Sequence, residues 1–354
     1  PNRVSGSLAG QRYTFVAAGN DAKGFEDVWA QYATQVKQGT QVDLTKTSYS
    51  DPRFKLYNNL QADAARFASF REAQKERELK AAKTDLDKKR VEKRYQEYLL
   101  TEKQTIFANS AAAEAWMGFE ENADLYPNLE YRTAGDSDVR PEHARLHGII
   151  LPMNDDFWSG HTPPLGFGCR CNVIQTDSPV NKGQDKYKGY EQTTVPKGFD
   201  FNPGVDQRLF SESAGYYTSA PKAEAERLIK RAESFSARQS KAAVQDYLKA
   251  EKSTYRFTGQ KGFKEVKISN RDVKDITSKY HENRSLRNSL LFDIGNVLKE
   301  SKFVYSRAES KGRDLYVRWH YYQVEGYDNM YLNLVETKYG ELKLHAITDK
   351  LAKK

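Results

Sequence analysis

Six histidines and two cysteines carry most of the reactive chemistry in this 354-residue chain. His320 stands in the run Tyr316-Val317-Arg318-Trp319-His320-Tyr321-Tyr322, and His345 in Leu342-Lys343-Leu344-His345-Ala346. His281, beside Tyr280 at the end of an expected helix, is a third candidate. Imidazole, with a pKa near ~6.5, serves as base or acid at neutral pH. Metal-free RNA cleavage needs a base for the 2′-hydroxyl, an acid for the leaving 5′-oxygen and a cation for the phosphorane.

Side chains alternate along a strand, so each run divides into two faces. Leu315, Val317 and Trp319 share parity, as do Met330, Leu332 and Leu334, and Leu342, Leu344 and Ala346. Taken together these predict one aliphatic face packed on helices. The other would collect Tyr316, Arg318, His320, Tyr322, Tyr331, Asn333, Lys343 and His345. Rings that stack on unpaired bases and cations that meet phosphates are what an RNA-binding sheet needs, with Tyr316, Tyr322, Tyr331 and Lys343 as the binding set. An ordinary solvent-facing sheet surface has the same composition.

The cysteines form Cys169-Arg170-Cys171, with His143, His147 and His161 upstream. Thiolates and imidazoles at His143, His161, Cys169 and Cys171 could make a tetrahedral zinc site. The C-x-C spacing is tighter than the usual pair, and in a strand it sends the sulfurs to opposite faces. The expectation is therefore a structural lock or packed thiols, with no metal and no cofactor. A Cys169–Cys171 disulfide would be strained.

The elements that must position these groups follow from pattern. Phe25, Val28, Trp29, Tyr32 and Val36 recur at helical spacing. Residues 54–108 lack Pro and Gly and predict one or two long helices, solvated over 75–97 as a spacer or one arm of a hairpin. Another helix is expected over 110–123. Residues 131–176 are broken by Pro and Gly into a long loop region, and 177–220 predict an extended strap. Pro221 opens a helix to about Ala250. Beyond it lie a short strand pair around Gly259–Gly262, helices over 270–300, and strands at Phe303–Arg307, Leu315–Glu325, Met330–Thr337 and Leu342–Thr348. The expected fold class is multidomain α+β: a helix-rich N-terminal domain with a loop-rich α+β core, then helices packed on an antiparallel four-stranded sheet.

Charge is uneven. Residues 1–220 hold 28 Lys+Arg and 30 Asp+Glu, a net of −2; residues 221–354 hold 28 and 18, a net of +10. A basic C-terminal region suits a polyanionic partner or a Lys-rich surface. No apolar run is long enough for a membrane span, and two cysteines exclude a disulfide scaffold.

Tyr126-Pro127-Asn128-Leu129-Glu130-Tyr131-Arg132-Thr133-Ala134-Gly135-Asp136 followed by Val139-Arg140-Pro141-Glu142-His143 resembles the Mu F-like minor head proteins of tailed phages. The resemblance continues through Leu151-Pro152, Asp156-Phe157-Trp158, His161, Pro163-Pro164 and Gly168-Cys169-Arg170-Cys171, and ends at the strap Phe201-Asn202-Pro203-Gly204. His147 departs from it, standing where an acidic residue is expected. The resemblance implies a head-morphogenesis protein partnered with portal and capsid proteins, made in the bacterial cytoplasm and packaged in the virion interior. It also implies that Arg140, His143, Trp158, His161, Cys169 and Cys171 are structural. The implied division is a head domain at 1–205, a strap and connector helix at 206–250, and an RNase toxin-like domain at 251–354. That last region resembles the barnase–EndoU–colicin–RelE type of RNase. There His281 and His320 would be acid and base, Arg318 or Arg307 the phosphate clamp, Thr348 the orienting group and His345 the alternate base. RNA, or packaged DNA, would be its partner. A toxin delivered into a recipient cell would need an immunity protein in the producing cell. The competing reading is a structural virion protein whose basic domain binds nucleic acid or another virion protein without catalysis.

Overall fold

The structure is a computed structural model that describes residues 5–8, 11–14, 24–182, 184–190, 193–250, 254–255, 265–279, 283–310 and 312–351. It is α+β, as the patterns predict. The chain packs as two compact units, one of residues 1–41 and 59–232, the other of residues 42–58 and 233–354. Among the described residues no helix is long and apolar enough to cross a membrane.

The first unit opens with a hairpin the patterns did not predict, β1 (Ser5–Leu8) and β2 (Gln11–Thr14). Helix α1 (Phe25–Thr40) buries Phe25, Val28, Tyr32 and Val36, the stripe that its spacing predicts. Helices α2 (Pro52–Ala81) and α3 (Asp85–Glu121) are joined by Ala82–Thr84. The Thr84 side chain accepts the Asp87 amide at 3.1 Å and caps α3. Tyr95 Oη donates to Glu78 Oε1 at 3.0 Å and Arg94 pairs with Glu78. The solvated stretch is thus part of a helical hairpin. The separate helix expected over 110–123 is the end of α3, because nothing between Asp85 and Ala115 breaks it.

Three short strands, β3 (Asn128–Arg132), β4 (Ile150–Pro152) and β5 (Asn172–Thr176), form an antiparallel sheet with β3 central. The connections carry the one-turn helices α4 (Pro141–Ala144) and α5 (Trp158–His161). The strap carries α6 (Pro203–Asp206) and α7 (Gly215–Thr218) and leads to α8 (Lys222–Ala250). The strap is tied down by polar contacts. Asn109 Nδ2 donates to the Leu209 carbonyl at 2.6 Å, and the Asp63 carboxylate accepts the Leu209 amide at 2.8 Å.

The second unit contains β6 (Thr254–Tyr255), β7 (Val266–Lys267), α9 (Asn270–Ser278), α10 (Arg284–Ser289), α11 (Ile294–Glu300), β8 (Lys302–Ala308), β9 (Tyr316–Gln323), β10 (Tyr331–Thr337) and β11 (Leu342–Thr348). Strands β8 to β11 form the predicted antiparallel meander. β7 extends it, parallel to β11, so the order is β6-β7-β11-β10-β9-β8. Ser269 and Asp272 close a reciprocal capping box at the start of α9. Leu286, Leu290, Leu291, Ile294, Val297 and Leu298 pack on Leu332, Leu334, Leu342 and Leu344. Tyr49 and Phe54, from far upstream in sequence, complete this core. Asp293 accepts the Tyr49 amide at 3.0 Å, and Tyr327 Oη donates to the Tyr49 carbonyl at 2.8 Å. The turn at Gly259–Gly262 lies outside the described residues.

Candidate functional site

The register of the C-terminal sheet decides which candidate groups meet. Leu332 pairs with Tyr322, Leu334 with His320 and Glu336 with Arg318, and Leu334 pairs with Leu344 on its other side. Opposed residues share a face. Tyr322, His320 and Arg318 therefore project on the side of Leu332, Leu334 and Leu344, which the helices cover. Trp319, Val335 and Lys343 form a row on the opposite face, and Arg307 joins it by pairing with Trp319. This corrects the single aromatic–basic face expected from strand parity. β9 pairs one residue out of step with that grouping, which moves Arg318, His320 and Tyr322 to the helix side. Register shifts in β9 and β11 break the alternation itself, so that Tyr316 stays with Trp319, and Ile347 joins Leu342 and Leu344 in the core while Ala346 pairs with Asn333. Leu315 and Val317, expected in the core, are 41% and 43% exposed.

The two histidines consequently lie on opposite faces. His320 is 5% exposed, and its Nε2 lies 3.4 Å from Glu336 Oε2. Burial lowers its pKa below the usual imidazole range, and Glu336 offsets that in part. Arg318, opposite Glu336, is exposed. Glu336 was not among the sequence candidates. Its nearness to His320 depends on which strands pair and in what register.

On the other face Tyr305 stacks on Tyr321 with centroids 4.7 Å apart. Arg313 lies 5.5 Å over the Trp319 ring, and Trp319 Nε1 donates to Glu309 at 2.6 Å. Tyr316 meets Trp319 edge-on at 5.6 Å. His345 also sits against Trp319, at 4.9 Å. Tyr331 and Thr348 are paired across β10 and β11. Thr348 is 7% exposed, and its hydroxyl accepts the Lys350 amide at 3.2 Å, which caps the strand end. His281 lies outside the described residues. Among the described candidates, then, His320 and Arg318 share one side, while Arg307, Lys343 and His345 share the other.

Burial, with Lys279 and Arg313 nearby, pushes the His345 pKa down to about 4, against weaker support from Asp275 and Asp272. A depressed folded-state pKa means that the unfolded chain binds the proton more readily. Stability from this residue is complete above the unfolded value of 6.5 and is lost as pH falls toward about 4. His345→Gln should flatten the acid side of the second unit's stability profile over that window. Unfolding midpoints measured across it check this, and parallel profiles for the two proteins would contradict it.

In the first unit the motif residues lock the loop region. Arg140 donates to the Phe167 carbonyl at 2.6 Å. Trp158 is 1% exposed, and its Nε1 donates to the Pro152 carbonyl at 3.0 Å. His161 stacks on Phe157 at 4.4 Å, with its ring nitrogens 3.2 Å from the Phe157 and Thr193 carbonyls. His147 Nδ1 accepts the Thr133 amide at 3.1 Å. The Asn202 carboxamide oxygen accepts the Gly204 and Val205 amides at 3.0 and 3.2 Å, while its Nδ2 donates to the Trp158 carbonyl at 3.2 Å.

Cys169 and Cys171 precede β5 rather than lying in a strand, and Gly168 before them has φ +71°. Both sulfurs therefore face His143, with Cys169 Sγ 3.6 Å and Cys171 Sγ 3.7 Å from Nδ1. The neighbouring Cys171 thiol, together with His143, draws the Cys169 pKa well down. The same contact with Cys169, together with burial, pushes the Cys171 thiol up. His161 is not part of this cluster.

Residues 31–174 match the family described as Phage Mu protein F like protein. The chain is 51% identical over 51 residues to "Putative capsid assembly protein F" of Escherichia phage Mu, covering 14% of this chain and 12% of that protein. It is 42% identical over 53 residues to "Mu-like prophage FluMu F protein" of Haemophilus influenzae, covering 15% and 13%. The chain thus spans far less than two thirds of the curated relatives it matches. No solved structure matches it.

Proposed function

We propose, from the Mu F-like region at residues 31–174, that the protein is a head-assembly component of a phage or prophage particle, partnered with portal and capsid proteins in the virion interior. The observation that carries this is how the shared motif residues are used. Arg140, Trp158 and His161 within residues 31–174, and Asn202 in the strap beyond them, hydrogen-bond to backbone groups of their own unit. Such residues preserve the shape of a loop surface rather than present reacting groups. Tagged protein expressed with the cognate head genes should co-sediment with assembled particles and resist added protease until they are opened. Its absence from purified particles would defeat the proposal.

A second reading concerns the basic C-terminal region, and the observation favouring it is exposed Arg318 paired opposite half-buried Glu336. The Glu336 carboxylate lies 3.4 Å from the buried His320 imidazole and would have to relay the proton between it and the surface. A carboxylate, an imidazole and a guanidinium can supply base, acid and phosphate clamp for metal-free cleavage of RNA. An RNase carried in a particle would act in the recipient cell and require an inhibitor in the producing cell. Because Tyr49 and Phe54 complete the second unit's core, the test uses the full chain. Labelled RNA in excess chelator should be cut by the native protein, and cleavage should fall by about 100-fold or more in Glu336→Gln and His320→Gln. Binding without cleavage would replace this reading with nucleic-acid contact through the +10 charge of residues 221–354.

A further inference from the structure

We infer that His143, Cys169 and Cys171 form a zinc site in the first unit. The three candidate donor atoms lie within 4.8 Å of one another. Tetrahedral zinc with Zn–S near 2.3 Å and Zn–N near 2.05 Å places each sulfur about 3.6 Å from the nitrogen. The observed separations of 3.6 and 3.7 Å have that length, so an ion fits between the donors with little movement of the chain.

The backbone explains how a C-x-C pair achieves this. The positive φ at Gly168 turns the chain just before Cys169, and β5 begins only at Asn172. The pleat that would separate the sulfurs has not started. His143 comes from the short helix opened by Pro141, and its ring is only 3% exposed. Tyr131 is fully buried beside Cys171 and walls that side of the cluster from water. A cavity of about 90 Å³, lined in part by Asp138, Arg140 and Arg170, borders the three donors and leaves space for a water as fourth ligand.

Ligand chemistry selects the metal. Two sulfurs and one imidazole suit a borderline-soft ion, not calcium or magnesium. Two thiolates balance the charge of Zn²⁺ and the imidazole binds neutral through Nδ1, so binding releases the thiol protons to solvent. The site would tie α4 to the segment entering β5, joining two parts of the loop region that are distant in sequence.

The full-length protein, reduced and stripped with chelator, is titrated with zinc against a chromophoric chelator and separately with cobalt. The expected result is about one zinc per chain, a raised thermal midpoint, and a cobalt spectrum with thiolate charge-transfer bands and intense tetrahedral d–d bands. Cys171→Ser and His143→Asn should reduce binding at least about tenfold. The exposed variant His147→Ala should retain it. The cobalt spectrum of the native chain needs no variant, so a substitution that fails to fold leaves the inference testable. Absence of thiolate-to-cobalt bands, or Cys171→Ser binding as tightly as the native chain, overturns it.

Discussion

Replacing Arg71 with Met should destabilise the first unit by about 3–5 kcal/mol. Arg71 is 2% exposed and supplies the positive charge at the centre of a buried network. Its Nε donates to Glu102 Oε2 at 2.8 Å, its other nitrogens engage Glu72 and the Tyr95 carbonyl, and it lies 5.1 Å from the Tyr95 ring. Glu102, also 2% exposed, accepts the Tyr32 hydroxyl at 2.5 Å and the Tyr216 hydroxyl at 2.6 Å. Without the guanidinium, the Glu102 carboxylate would remain out of water with only neutral phenol donors, and Glu72 with only the longer 3.8 Å contact to Lys75. The cost arises from that stranded charge, not from the strength of one ion pair. Glu102→Gln keeps an acceptor for the phenols while removing one charge. The double variant should therefore lose less than the sum of the two single variants, with a coupling of about 1 kcal/mol or more. Urea unfolding followed by circular dichroism measures all four corners of the cycle. Additive losses would show that the groups do not act together.

Gly204→Ala should cost about 3 kcal/mol, an unusually large loss for adding one methyl group. A Cβ at Gly204 would stand 2.3 Å from Trp116 Cβ and 2.4 Å from Cγ. Those atoms sit at the base of the Trp116 side chain, so no end-of-chain rotation relieves the clash, and either α6 or α3 has to move. Trp116 is 4% exposed, so little free space is available for that movement. In a Trp116→Gly background, which removes the obstructing Cβ as well as the ring, the added methyl should cost less than about 1 kcal/mol. The same unfolding measurement reads both numbers. An equal cost in the two backgrounds would remove steric contact as the cause. The Phe-Asn-Pro-Gly strap thus contains a cap at Asn202 and a close approach at Gly204, two constraints that call for different residue types.

Several elements were legible because their determinants are local. The Phe25–Val36 stripe formed α1 and the breaker-free stretch formed α2 and α3. Turn residues between alternating runs produced β8 to β11 nearly at their expected boundaries. Other features depended on contacts distant in sequence. No local pattern marks residues 42–58 as packing with 233–354, where Tyr49 stacks near Tyr327 at 6.2 Å. Strand parity sorted β10 correctly, but register shifts broke it in β9 and β11, placing Ile347 in the core and Tyr316 beside Trp319. Pairing Leu334 with His320 then brought the imidazole to the apolar side and left His345 across the sheet.

The amino-acid order alone determined the element types, the α+β class, the basic C-terminal third and the motif series of the loop region. These follow from side-chain periodicity, backbone preference and charge, which act over a few residues. Tertiary structure alone decided that His320 meets Glu336, that Cys169 and Cys171 turn together toward His143, and that Arg71 is enclosed with two carboxylates. Each depends on strand register, chain direction or helix packing. A one-residue slip or a single left-handed glycine can reverse where a side chain points without changing the local pattern.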